Sequence, residues 1–164
     1  MAIDLDFKSH RILDVIHMIE DYRLDIRTVT MGISLIGCSR PTMEATAQAV
    51  YDRVTERAAQ LVPVCEGIER ELGIPIVNKR ISVSPISLVA AGVEGNPVEI
   101  ARALDRAAAQ LGVNFVGGYS ALVEKGATEA DSRLIRSIPE ALASTSNVCG
   151  SVNVATSRAG INMD

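Results

Sequence analysis

A chain of 164 residues with a net charge of −4 has single-domain size and can bury roughly 68–70% of its unfolded surface. Nearly half of its residues are apolar (48%), yet aromatics make up only 3% and Trp is absent, so Ala, Val, Ile and Leu must fill the core. An acidic balance without a basic cluster, and too few aromatics to stack on bases, argue against nucleic acid as a partner.

In chain order, Ile12, Val15, Ile16 and Ile19 recur at helical spacing and predict an amphipathic helix from Ser9 to about Tyr22. It forms an N-terminal extension (residues 1–22) to a domain made by residues 23–164. The first strand is expected over Leu24 to Ile36. Its apolar phase steps from Leu24 and Ile26 to Val29, Met31, Ile33 and Leu35, which implies a bulge or break near Thr28. Pro41 marks a helix start, and Met43, Ala47, Val50, Val54, Ala58, Leu61, Cys65, Ile68 and Leu72 form a stripe that Gly73 ends. Pro63 lies off the stripe and should kink or divide this helix. Cys65 lies on it and reads as an inert core residue.

The second strand is expected from Ile76 to Ser84, with Val77, Ile81 and Val83 on its apolar face, followed by a short helical piece over Ile86 to Ala91. Asn96 and Pro97 read as a cap and a first-turn proline for a helix carried by Val98, Ala101, Leu104, Ala108 and Leu111. A third strand, Val113 to about Tyr119, contains Gly117 and Gly118, a pair that suggests a close backbone approach or a bend. Thr128 and Asp131 resemble a capping box, and Pro139 is expected to restart the helix that follows. The fourth strand spans Asn147 to Ala155, and Gly160 permits a sharp turn in the tail.

The strands alternate in one unusual way. One face is apolar, while the other carries Thr28, Thr30, Ser34; Asn78, Arg80, Ser82, Ser84; Asn114, Gly118, Ser120; and Asn147, Cys149, Ser151, Asn153. A solvated face would be rich in Lys and Glu, but Arg80 is the only charge in these rows, which suggests a narrow, partly enclosed polar cavity. Strands apolar on one side only do not suit a doubly wound sheet. The fold expected is α/β, with a one-sided, curved, mostly parallel sheet and outer helices. Four strands cannot close such a barrel, so the remaining strands must come from another segment or another subunit.

Within these rows Arg80 is placed to fork to a carboxylate or phosphate, or else to pair with a structural carboxylate such as Glu94 or Asp164. Cys149 is either a nucleophile or radical relay, or a small buried residue. Asn78, Asn114, Ser151 and Asn153 suit a polar substrate and equally suit cross-strand hydrogen bonding. Gly118 and Ser120, in the run Gly117-Gly118-Tyr119-Ser120, can present amides to an anion or simply form a bend. Lys79 falls on the helix-covered face, where a snorkelling or ion-paired side chain is expected. His10 and His17 are not persuasive bases or ligands, and no metal constellation emerges. Three cysteines, Cys38, Cys65 and Cys149, lack C-x-x-C spacing and do not form a disulfide framework. No apolar run approaches about 18 residues and no signal-peptide pattern opens the chain, so a cytoplasmic protein is expected.

Five collinear segments carry a resemblance. They are Asp25-Ile-Arg-Thr-Val-Thr-Met-Gly-Ile-Ser-Leu, Gly73-Ile-Pro-Ile-Val-Asn-Lys-Arg-Ile-Ser-Val-Ser-Pro-Ile, Val113-Asn-Phe-Val-Gly-Gly-Tyr-Ser-Ala-Leu-Val, Leu134-Ile-Arg-Ser-Ile-Pro-Glu-Ala-Leu, and Val148-Cys-Gly-Ser-Val-Asn-Val with Gly160-Ile-Asn-Met-Asp. Over about Tyr22 to Asp164 the chain resembles the uncharacterised DUF711 (UPF0210) family. That resemblance implies half of an α/β barrel related to pyruvate formate-lyase and anaerobic ribonucleotide reductase, without implying a reaction. Family members are longer, so this chain corresponds to their N-terminal third, and its end at Asp164 is expected to be a truncation, a cleavage or a split subunit. No room remains for the C-terminal glycine loop of a glycyl-radical enzyme, so radical chemistry does not follow from the fold. The resemblance also makes an ACT-domain partner conceivable. Two functions are therefore expected to compete: an enzyme part acting on a small polar, anionic metabolite, or a non-catalytic metabolite-binding protein working with such a partner.

Overall fold

A computed structural model describes residues 5–22 and 25–163, with only the backbone described for residues 5–10 and 19. The elements are α1 (Leu5–Glu20), β1 (Ile26–Ile33), α2 (Met43–Ala58), α3 (Leu61–Leu72), β2 (Ile76–Val83), α4 (Ile86–Val89), α5 (Val98–Leu111), β3 (Phe115–Leu122), α6 (Glu129–Ala143), β4 (Val148–Asn153), and a short antiparallel pair, β5 (Ala155–Thr156) and β6 (Gly160–Ile161). β1 to β4 form one parallel sheet in the order β1-β2-β3-β4. Crossovers of one hand that always step in one direction place their helices on the same face. The burial agrees: Ile33, Ile81, Val83, Val116, Tyr119, Ala121 and Val148 join the helix residues Val50, Val54, Leu104 and Leu134 in one core. Ala101, Ala103, Ala107 and Ala108 of α5 are fully buried, and these small side chains let α2 and α5 approach closely.

Local chemistry accounts for most element boundaries. The long stripe divides at residues 59–60, leaving Pro63 in the first turn of α3, where its missing N–H breaks no helical bond. Gly73 ends α3 at φ 68°, its N–H reaching the Glu69 carbonyl. The Asn96 side chain accepts from the Val98 N–H at 3.1 Å. Thr128 and Asp131 form the expected capping box. Burial pushes the Asp131 carboxyl up, but its bonds from the Thr128 hydroxyl and N–H outweigh this and hold it below its ordinary value.

Several expectations are corrected. α6 continues through Pro139, because Leu134 and Ala141 on either side stay in phase and buried, and core packing outweighs one lost backbone bond. β1 pairs with β2 without a register shift from Ile26 through Thr28 to Ile33, so the bulge expected near Thr28 is absent; Leu24 lies outside the described residues. At the entry of β2 the phase is reversed: Ile76 is buried and Val77 is 44% exposed. Glu69 of α3 accepts from the Ile76 N–H at 2.6 Å, and Ile76, like Cys65 and Ile74, is buried outside the main core. On α1, Ile12, Leu13 and Ile16 are exposed. No closed barrel forms among the described residues, and the polar face of the sheet carries no helix layer.

The irregularity lies in β3. The register with β4 shifts between Gly117 and Tyr119, and Gly118 sits in the bulge at φ 122°. A Cβ on Gly118 would lie 2.5 Å from both Cγ2 and the carbonyl oxygen of Val83. Only glycine fits this conformation and this approach. The bulge restores the phase of β3: Val116 before it and Tyr119 and Ala121 after it all face the helices.

Candidate functional site

The registers assemble the uncovered face into lateral rows. Thr30, Arg80 and Phe115 are partners across three strands, and Gly32, Ser82, Gly117 and Cys149 are partners across all four. Partners in a parallel ladder project to the same side, so each row shares a face. A Cβ built on Gly32 or Gly117 would meet nothing within 4 Å, so these positions leave a trough on either side of Ser82. The result is a groove of about 380 Å³ lined by Thr30, Arg80, Ser82, Phe115, Gly117 and Cys149.

Arg80 dominates its electrostatics. Its guanidinium lies over the Phe115 ring, 5.2 Å from the centroid, an arrangement worth about 0.5–1 kcal/mol at an exposed site. Its Nε is shielded from solvent and has no hydrogen-bond partner among the described residues, nor does Arg80 form an ion pair there. The expected structural pairing with Glu94 is thus absent, and Asp164 lies outside the described residues. One position earlier the situation is opposite. Lys79 points to the helix side, where its Nζ pairs with Glu69 at 3.0 Å and also donates to the Ile76 carbonyl. The Glu69 carboxyl is held below its ordinary value, first by the Ile76 N–H and then by Lys79. Adjacent cations are therefore treated differently: one is neutralised within the fold, while the other is left for the groove.

Cys149 is an exposed free thiol in this groove, whereas Cys38 and Cys65 are buried. The other proposed site residues are placed elsewhere. Asn78 donates to the Arg27 carbonyl at 3.2 Å, across to β1. Asn114 precedes β3 and accepts from the Lys79 N–H at 2.8 Å, so its amide pins a strand. Gly118 is the bulge residue, and Ser120 is buried, its Oγ donating to the Gly118 carbonyl at 3.3 Å. Ser151 and Asn153 are exposed, in register with Ser120 and Leu122, farther along the strands. Phe115 and Gly117 escape a reading by strict alternation, while Gly32 is in phase with Thr30 and Ser34 but carries no polar side chain to mark it. Alternation run backward from Ser120 puts Asn114 and Gly118 on the polar face, whereas one extra residue at the bulge puts Phe115 and Gly117 there. The paired glycines were the available signal for that shift.

Chemically, the groove offers a cation, hydroxyls and a thiol. Among the described residues no group of His, Cys, Asp and Glu is arranged to hold a metal, and no helix is long and apolar enough to cross a membrane. His17 of α1 is paired with Asp21, just beyond the helix end and outside the groove.

These features define an α/β domain with helices on one side of a parallel sheet and an arginine-centred polar groove on the other. The chain belongs to the DUF711 family, described as an uncharacterised ACR, whose sequence profile matches residues 17–164. It is 74% identical to a UPF0210 protein of Corynebacterium glutamicum over 97% of this chain, and 59% identical to one of Pelotomaculum thermopropionicum over 93%. A UPF0210 protein of Listeria monocytogenes is 54% identical over 96%. These matches cover 34%, 34% and 35% of the relatives, so the chain spans about a third of the length of the curated relatives it matches.

Proposed function

We propose that the uncovered sheet face is the ligand-bearing inner wall of an α/β barrel of the pyruvate formate-lyase type, completed by strands from another segment or subunit, and that it binds a small anionic metabolite through Arg80. The observation that carries this reading is the state of Arg80: stacked on Phe115, unpaired, with an unsatisfied N–H, in a groove free of carboxylates. A guanidinium so placed is preorganised for a carboxylate or phosphate. Cys149 shares the groove and is the candidate nucleophile of the enzymatic form of the proposal. In its non-catalytic form the same pocket senses the metabolite and an ACT-domain partner reads the occupancy.

The test is calorimetric titration of inorganic phosphate and a panel of small mono- and dicarboxylates into the wild type and Arg80→Ala. A hydrogen bond to a charged group contributes about 1.5–3 kcal/mol, so the variant should bind the preferred anion roughly 10- to 150-fold more weakly at unchanged melting temperature. Equal binding by both proteins defeats the reading. Cys149→Ser then separates the two forms, since the enzymatic one requires lost turnover with binding retained.

A further inference from the structure

A second recess, of about 320 Å³, lies at the free edge of β1, lined by Met31, Gly32, Ile33 and Ser34 and by Arg53 and Arg57 of α2. Among the described residues β1 pairs only with β2, so its outer side presents unpaired N–H and C=O groups beside the two arginines. Neither arginine forms an ion pair or hydrogen bond among the described residues. Asp52, next to Arg53 in sequence, instead accepts from Gln48 Nε2 at 2.8 Å. Residues four apart share a helix face, so Arg53 and Arg57 are neighbouring like charges, and no carboxylate lines the recess they share; Asp52 and Glu56 lie with Arg53 in the adjoining recess.

We infer that this edge receives an extended acidic strand supplied from outside these 164 residues, its backbone pairing with Met31 to Ser34 and two alternate carboxylates meeting Arg53 and Arg57. The spacing agrees: four helical residues advance about 6 Å, and alternate residues of a strand lie about 6.6–6.8 Å apart. A small free anion would engage the arginines but leave the strand edge unpaired. β-Strand addition satisfies both, the backbone supplying affinity and the side chains selectivity. The inference does not depend on the Arg80 groove.

The probe is a fluorescein-labelled peptide of about ten residues alternating Val and Glu, with matched peptides carrying Lys for Glu or Pro at a central Val, measured by anisotropy against this chain. The wild type should bind the Glu peptide in preference to the Lys peptide, with the Pro peptide and the Arg53→Ala/Arg57→Ala double variant each weakening binding about tenfold or more. Arg53→Glu/Arg57→Glu should reverse the preference towards Lys, a gain that loss of folding cannot imitate, while Arg80→Ala should change nothing. Equal affinity for the Pro peptide, complete displacement by inorganic phosphate, absence of charge preference, or no binding at all overturns the inference; phosphate displacement would assign a small-anion site instead.

Discussion

The two faces of this sheet are made by the same four strands, yet they obey different physics. On the helix side, Ile81, Val116, Tyr119 and Leu134 lose almost all contact with solvent, and two polar side chains there are paired: Tyr119 bonds to Ser137 at 2.6 Å and Lys79 to Glu69. On the uncovered side, Thr30, Ser82, Cys149 and Ser151 stay exposed and Arg80 is left unpaired. Apolar packing is therefore concentrated on one face and exposed polar side chains on the other. The contrast teaches that a polar residue's role depends on whether the fold has already satisfied it.

The sharpest way to break this division lies in two adjacent glycines. Gly118→Ala forces a Cβ against the Val83 carbonyl at a positive φ and should cost about 4 kcal/mol in urea unfolding, as overpacking and backbone strain combine. Gly117→Ala, where the added methyl meets open space, should leave the unfolding midpoint nearly unchanged while narrowing the groove for ligand. Next in size is Leu104→Ala in the core of α5, expected to cost about 3 kcal/mol by the same measurement. Ser137→Ala should cost about 1–2 kcal/mol by leaving the Tyr119 hydroxyl without its buried partner. Burial already raises Tyr119 above the ordinary phenol value, so its hydroxyl stays protonated and needs that bond.

The smallest effect concerns pH. Because the folded Glu69 carboxyl is held below its ordinary value of 4.5, its contribution is complete above that value and is lost as the pH falls through the lower folded one. Stability measured across that window should show an acid-dependent component that Glu69→Gln abolishes. An unchanged acid limb in the variant would mean that the pair with Lys79 and the bond to Ile76 do not couple α3 to β2.

Much of this was legible along the chain. The stripe from Met43 to Leu72, the division near Pro63, the stop at Gly73 and the capping box at Thr128 all follow from rules acting within one or two helical turns. Arg80 and Cys149 were legible as groove residues because the backbone alternation within β2 and within β4 is unbroken, the bulge at Gly118 falling in β3. What alternation misplaced was β3, where Asn114 is spent on pinning β2 and the bulge at Gly118 brings Phe115 and Gly117 to the groove instead.

The amino-acid order alone determined which segments become helices and strands and which face of β1 and β4 is polar, because those properties depend on neighbours a few residues away. Tertiary structure decided which cation is neutralised, where the third strand slips by one residue, and that Thr30, Arg80 and Phe115 stand in one row. Those outcomes depend on contacts between residues distant in sequence, such as Gly118 against Val83, and such contacts form only when the whole sheet packs.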